Sequence, residues 1–243
     1  MKHDTPKNTV EYKVHGRFAL FSDPITRMGG ERGSYQIPTY EALKGITKSI
    51  YFKPTFSWFV DQVRVMKIIQ TAAKSVKLRP FQKSAPDLSI FTYLVDVEYQ
   101  VRAHFEWNLN YPEMAKDRIA GKHFEVARRM IEKGGRRDIC LGTRECQGYV
   151  EPCAFGEGRG AYDDVPELAF GLMFHGFTYP DEYPNPNAPE QEKNVLRANF
   201  WKPVMRKGVL TFPRPEECPF SRAVRPMKPA RPRSRGLDDA TLV

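Results

Sequence analysis

The chain has 243 residues and a formal net charge of +9 at pH 7, from 38 Lys and Arg against 29 Asp and Glu. That length holds one large domain, or a core domain with a smaller addition, and a pI near 9.4 favours an anionic partner, either nucleic acid or a membrane surface. No apolar run is long enough to cross a bilayer, and Met1-Lys2-His3-Asp4 lacks the apolar core of a secretory signal, so a cytoplasmic protein without membrane contact is expected. Cys140, Cys146, Cys153 and Cys218 form no C-x-x-C pair and have no histidine at zinc spacing. They read as reduced core or loop residues, and neither a metal nor another cofactor is expected.

From Val10 to Leu20 apolar residues alternate with Glu11, Lys13, His15 and Arg17, which predicts a first strand with one wet face. Met28 to Gly33 is too rich in glycine for a regular element and reads as a loop. Pro38 suits the first position of a helix whose apolar stripe is Tyr40, Leu43, Ile46 and Ile50. Pro54 disfavours helical geometry at Lys53, so Tyr51 falls at a helix-to-strand corner. A second strand is expected over Phe56 to Ile68. The clearest strand runs from Tyr93 to Asn108, with Tyr93, Val95, Val97, Tyr99, Val101, Ala103, Phe105 and Trp107 facing one way. Asp96, Glu98, Gln100, Arg102, His104 and Glu106 face the other, and a slip of one residue would invert the whole set.

The stretch from Gly121 to Tyr149 carries the chemistry. Lys122-His123 opens a helical pattern in which Phe124, Ala127 and Ile131 share a stripe, and Gly134-Gly135 supplies a left-handed stop. Arg136, Arg137 and Arg144 follow through small and polar residues. A helix N-terminus offers unpaired N–H groups and partial positive charge, which suits a phosphate. Lys and His are also what cleavage of an RNA backbone needs, one to stabilise charge and one to move protons near neutral pH. The plain alternative is a solvated first turn followed by surface arginines. Gly148-Tyr149-Val150 then begins another strand.

Beyond Pro152 the texture changes. Leu168, Phe170, Leu172 and Phe174 alternate as a strand, and Asn194 to Phe212 reads as a hairpin turning at Arg206-Lys207-Gly208. Tyr179 to Glu192, rich in Pro, Asn and acid, reads as a mobile loop, and the basic, proline-containing stretch from Arg222 to Arg235 as disordered. The order strand, helix, strand, strand, helix, strand predicts an α+β protein with a ferredoxin-like (RRM-like) β-α-β-β-α-β domain over residues 1–152. A small C-terminal antiparallel β-sheet domain over 153–221 and a basic disordered tail over 222–243 complete the expected organisation. The aromatic signature of the common RNA-recognition motif is absent.

The blocks HGRFALFSDP, IPTYEALKGI, SIYFKPT, DVEYQVRAHFEWN, GGRRDICLGTRECQGYVEPC and FPRPEECP resemble the CRISPR-associated pre-crRNA endoribonucleases of the subtype I-C (Dvulg) system, the fifth Cas protein in its "d" form. The resemblance runs from about Tyr12 to Cys218 and implies a RAMP-type fold. It also implies metal-independent cutting of CRISPR precursor RNA at the base of the repeat hairpin, by attack of a ribose 2′-hydroxyl. The family's catalytic tyrosine falls on Tyr51 in SIYFKPT, and its Lys-His pair on Lys122 and His123 in GKHFEV. Phe52 stands where relatives often carry an indole. In this reading Arg136, Arg137 and Arg144 bind RNA phosphates and Lys122 stabilises the phosphorane. His123 moves protons, and Tyr51 donates a hydrogen bond or, with a lowered pKa, takes part in proton transfer. The product crRNA stays bound, and the protein joins the backbone and large subunits of a type I-C Cascade-like complex. The rival reading is a non-catalytic crRNA-binding subunit, with sequence-independent duplex DNA binding compatible with either.

Overall fold

The computed structural model describes residues 8–23, 26, 31–78 and 87–230. Its centre is one mixed but mostly antiparallel sheet, built on strands β1 (Thr9–Ala19), β2 (Glu31–Gly33), β3 (Phe56–Val65), β4 (Thr71–Leu78) and β5 (Asp87–Trp107). Helix α1 (Tyr40–Ile50) connects β2 to β3, and α2 (Ala120–Glu132) follows β5. Then come β6 (Ile139–Cys140), β7 (Gln147–Pro152), β8 (Leu168–Ala169), β9 (Met173–Thr178), β10 (Val195–Trp201), β11 (Val204–Met205), β12 (Val209–Thr211) and β13 (Phe220–Pro226).

The main sheet has the order β12-β3-β5-β1-β7-β6, with β2 and β4 also paired to β5. Register puts Tyr12 opposite Val101 and Trp58 opposite Phe105, so the alternating apolar sets share one face. Both helices pack on that face. Tyr12 bonds Thr47 of α1 at 2.7 Å, and Ala127 and Ile131 of α2 join the same core. The opposite face is not simply wet. Gln100 is buried there and its carbonyl accepts the Gly156 N–H, while Arg64 bonds Asp163 and the carbonyls of Glu157 and Gly158. The segment after β7 therefore lies over the charged face and satisfies it.

Several expectations are corrected. The helix start is set by Thr39, whose hydroxyl accepts the Ala42 N–H at 3.2 Å, rather than by Pro38. Glu31–Gly33 is a short strand parallel to β5, while residues 28–30 lie outside the described residues. The second strand stops at Val65, and a separate strand over Thr71–Leu78 extends β5. Gly171, at φ +74°, splits the expected strand at Leu168 to Phe174 into β8 and β9, which join different sheets. The turn at Lys207-Gly208 forms with φ +46° and +78°. Its arms are not one hairpin: β11 pairs β8, whereas β12 crosses to the edge of the main sheet beside β3.

That crossing ties residues beyond 152 into the first sheet. Tyr179 to Glu192 is pinned as well, because Glu182 reaches into a half-buried ion cluster with Lys44 and Lys48 of α1. Finally, Phe220–Pro226 is a strand paired with β10, so residues 222–226 are not the disordered tail expected there; residues 231–243 lie outside the described residues.

Candidate active site

Tyr51 is the first residue past α1, with extended backbone at φ −157°, and its N–H still donates to the Thr47 carbonyl. The Trp58 indole donates to the Tyr51 carbonyl at 2.7 Å, and the Phe56 ring lies against the phenol. The corner read from Pro54 thus becomes a fixed tyrosine. On α2 the buried positions are His123, Ala127 and Ile131, spaced by four. His123, not Phe124, leads the stripe and is fully buried, with Phe56 and Trp107 at 5.1 and 5.9 Å between ring centroids. Lys122 precedes it by about 100° of helix rotation and so projects into solvent.

A chain of hydrogen bonds joins these groups. Tyr51 Oη lies 2.9 Å from His123 Nδ1, and His123 Nε2 lies 2.6 Å from the Asp117 carbonyl oxygen. A carbonyl only accepts, so Nε2 carries the proton of the neutral ring; Nδ1 is then the acceptor and Tyr51 the donor. The Asp117 carboxylate accepts from the Thr55 hydroxyl at 2.9 Å, pairs with Lys122, and places Oδ2 3.5 Å from Nε2. Burial works against the Asp117 anion, but bonds from Lys122 and Thr55 and the neighbouring imidazole hold its carboxyl below the usual range. Burial, reinforced by the Asp117 charge and only partly offset by Arg136, pushes the Tyr51 phenol up to about 12. Tyr51 is therefore a donor at neutral pH and not a phenolate, which removes the expectation of a lowered pKa.

Gly134 and Gly135, at φ +80° and +106°, end α2 and turn the chain onto the end of α1. The Arg136 and Arg137 N–H groups then donate to the Ser49 carbonyl at 3.3 and 3.1 Å. This brings Arg136 close enough for its charge to act on Tyr51. Arg144 sits instead on the connection between β6 and β7, where its neighbour Glu145 acts on Tyr93. The structure thus gathers Tyr51, Lys122, His123 and Arg136, with Arg137 adjacent, and leaves Arg144 apart. Asp117 and Thr55 were not singled out from the sequence. Their only signal is a carboxylate in a 3-10 turn ahead of the Lys-His pair and a hydroxyl closing SIYFKPT. Among the described residues, no group of three or more His, Cys, Asp or Glu side chains is placed to share a metal ion.

The family described as CRISPR-associated protein (Cas_Cas5), in its Cas5d form, matches residues 9–213, and the chain belongs to it. A curated relative from Thermus thermophilus, named CRISPR pre-crRNA endoribonuclease Cas5d, is 28% identical over 181 residues, covering 68% of this chain and 73% of its own. A crystal structure described as a CRISPR-associated protein superposes with a TM-score of 0.73 at 35% identity, over 88% of this chain and 96% of the other. A functionally uncharacterized protein from Streptococcus mutans gives 0.71 at 36% identity, with the same coverage. The mixed, mainly antiparallel fold is shared with these structures.

Proposed function

We propose that this chain is an endoribonuclease that cleaves CRISPR precursor RNA at the base of the repeat hairpin without a metal ion. The cut crRNA then remains bound, and the protein becomes a subunit of a type I-C Cascade-like complex. In this reading the order β3-β5-β1-β7, with α1 and α2 as the connecting helices, is a ferredoxin-like RAMP domain. The observation that carries the proposal is the Tyr51–His123–Asp117 hydrogen-bond chain with Lys122 and Arg136 at its edge.

A base whose own orientation is fixed by a third group is the arrangement that activates hydroxyl nucleophiles. His123 has no exposed surface and Tyr51 keeps 3% of its own, so His123 works through the Tyr51 hydroxyl, which meets the RNA at that opening. The ribose 2′-hydroxyl passes its proton to Tyr51 Oη as the Tyr51 proton moves to His123 Nδ1. The 2′-oxygen attacks phosphorus, the bond to the 5′-oxygen breaks, and that oxygen takes a proton from water. Lys122 leaves Asp117 for the phosphoryl oxygens, where its charge and that of Arg136 stabilise the dianionic phosphorane. Asp117, released from Lys122, then faces the imidazolium formed on His123.

The products are a 2′,3′-cyclic phosphate and a 5′-hydroxyl. Repeat RNA with a 2′-deoxy nucleotide 5′ of the cut, incubated in EDTA, is the test. Binding without cleavage is expected for the deoxy substrate, with full cleavage of the all-ribose control. Cutting of the deoxy substrate, or a requirement for Mg²⁺, assigns the attack to water and ends this mechanism. Binding of both substrates without cutting of either favours the non-catalytic subunit.

A further inference from the structure

The second sheet, ordered β13-β10-β9, presents a face that the proposed reaction does not use. Its inner face is fixed by Gly176, where a Cβ would stand 2.8 Å from the Glu41 carboxylate and 3.1 Å from the Tyr40 ring of α1. Gly176 is opposite Asn199, and Asn199 is opposite Ser221. Along β10 and β13 the next residues, Phe200 and Phe220, therefore point away from α1, and an irregularity that skips His175 sets Phe174 opposite Phe200 with the two rings in contact. Three phenylalanines stand in register across three strands, with Phe174 and Phe200 centroids 5.8 Å apart and Phe220 50% exposed. The next row on that face is Phe177–Ala198–Arg222.

Every residue of β13 is exposed, including Val224 at 52%, and β9, β10 and β13 contain no Asp or Glu. Arg222 and Arg225 lie on the edge strand and Lys228 just beyond it. An aromatic row half-buried at Phe174 and Phe200 and open to water at Phe220 offers its free edge to a partner. A face of π surfaces on strands whose only charged residues are cations matches single-stranded nucleic acid, whose bases stack and whose phosphates are anionic. A protein partner of ordinary composition would not require the absence of carboxylates.

We infer that the Phe174–Phe200–Phe220 row is a base-stacking platform for single-stranded RNA, with Arg222 holding the phosphate backbone beside it. The inference rests on the reading that this chain handles RNA, and it adds a second contact remote in sequence from Tyr51 and His123. Sheet faces bearing aromatic side chains serve this purpose in RNA-recognition domains, although here the aromatic row lies on the smaller sheet.

The test uses the full chain carrying Phe220→Ala or Phe220→Trp, with a short unstructured RNA and with heparin as a base-free polyanion. Phe220→Ala should weaken RNA binding about 5- to 150-fold, the range for one lost stacked base, and leave heparin affinity and melting temperature unchanged. Phe220→Trp should retain RNA binding, and its added indole emission should be quenched by RNA beyond the quenching seen in the wild type. Equal losses on RNA and heparin, or an unchanged RNA affinity, overturn the platform. A defect confined to assembly with protein subunits makes the row a protein-docking face and also overturns it. A wild-type chain that binds no RNA removes both this inference and the endoribonuclease reading. A chain that cuts the repeat with Phe220→Ala RNA affinity intact removes the platform alone.

Discussion

Helix α1 carries a tyrosine at each end, and each meets a fully buried histidine. At the first turn, the Tyr40 and His175 rings are stacked with centroids 4.2 Å apart. His175 Nε2 bonds the Pro213 carbonyl at 3.0 Å, and Nδ1 has no partner among the described residues. Just past the last turn, Tyr51 and His123 are joined by a hydrogen bond, and both ring nitrogens of His123 are engaged. Burial is the same at both ends; what stands behind the ring differs. Burial, partly offset by the bond to the Pro213 carbonyl and with a smaller contribution from the Lys44 charge, pushes His175 down to about 4, so that ring stays neutral. Behind His123 stands the Asp117 carboxylate, which can balance a proton arriving on the ring. A buried histidine facing a cation is a packing group, whereas one backed by an anion and touching a hydroxyl can move a proton.

The sharpest way to break this contrast is to remove the two hydroxyls one at a time. Tyr51→Phe keeps the ring against Phe56 and deletes only the donor to His123. Cleavage should slow by on the order of 10²–10⁴-fold, the usual contribution of positioned acid–base groups, with RNA affinity nearly retained. Tyr40→Phe should leave single-turnover cleavage unchanged. Equal losses in the two variants would mean that the whole helix, rather than one end, governs the rate.

Acid stability separates the ends in a second way. The folded His175 pKa of about 4 lies below its ordinary 6.5, so the unfolded chain binds the proton first. The associated stability is complete above pH 6.5 and is lost as pH falls toward 4, amounting to about 3 kcal/mol. Glu182 behaves alike at lower pH. Burial opposes its charge, but Lys44 and Lys48 draw its pKa from 4.5 to about 2, so its contribution is lost between those values. Glu182→Gln leaves Lys44 buried without its anion and should cost about 3–5 kcal/mol at pH 7. Melting temperatures recorded from pH 8 to pH 3 should show a first decline beginning near 6.5. The Gln variant should melt lower throughout and show a flatter limb below pH 4.5.

Much of the site was legible because its residues sit at points of strong local constraint. Pro54 fixed the corner at Tyr51, and the two glycines fixed the turn that delivers Arg136. The long alternating strand was equally plain, since a single slip would have exposed its entire apolar face. Asp117 was not legible: it lies in a short turn without periodicity, and its value comes from a fold that folds the turn back over His123. The partners of β12 and β13 were hidden for a related reason. Their composition suits a strand, but pairing across long separations is set by tertiary packing rather than local pattern. Arg222 and Arg225 made the chain from residue 222 resemble a disordered tail, although β10 holds Phe220–Pro226 in register.

The arginines give the smallest expected effect. Arg136 reaches Tyr51 through its charge, whereas Arg144 lies on the connection between β6 and β7. If both merely contact phosphates, either substitution to Ala should lower affinity similarly and reduce the salt slope, d log K/d log[salt], by about 0.7–0.9. The placement of Arg136 adds something more. In the proposed mechanism, losing its charge removes a cation from the phosphorane and leaves the Tyr51 phenol facing Asp117 alone, so the single-turnover rate should fall as well. Arg144→Ala should therefore change affinity and salt slope only, with the rate at saturating RNA intact. Measuring both variants across salt concentrations, at limiting and at saturating protein, separates the two contributions. A lowered saturating rate for Arg144→Ala would place the β6–β7 connection within reach of the scissile phosphate and would join the two basic regions into one surface.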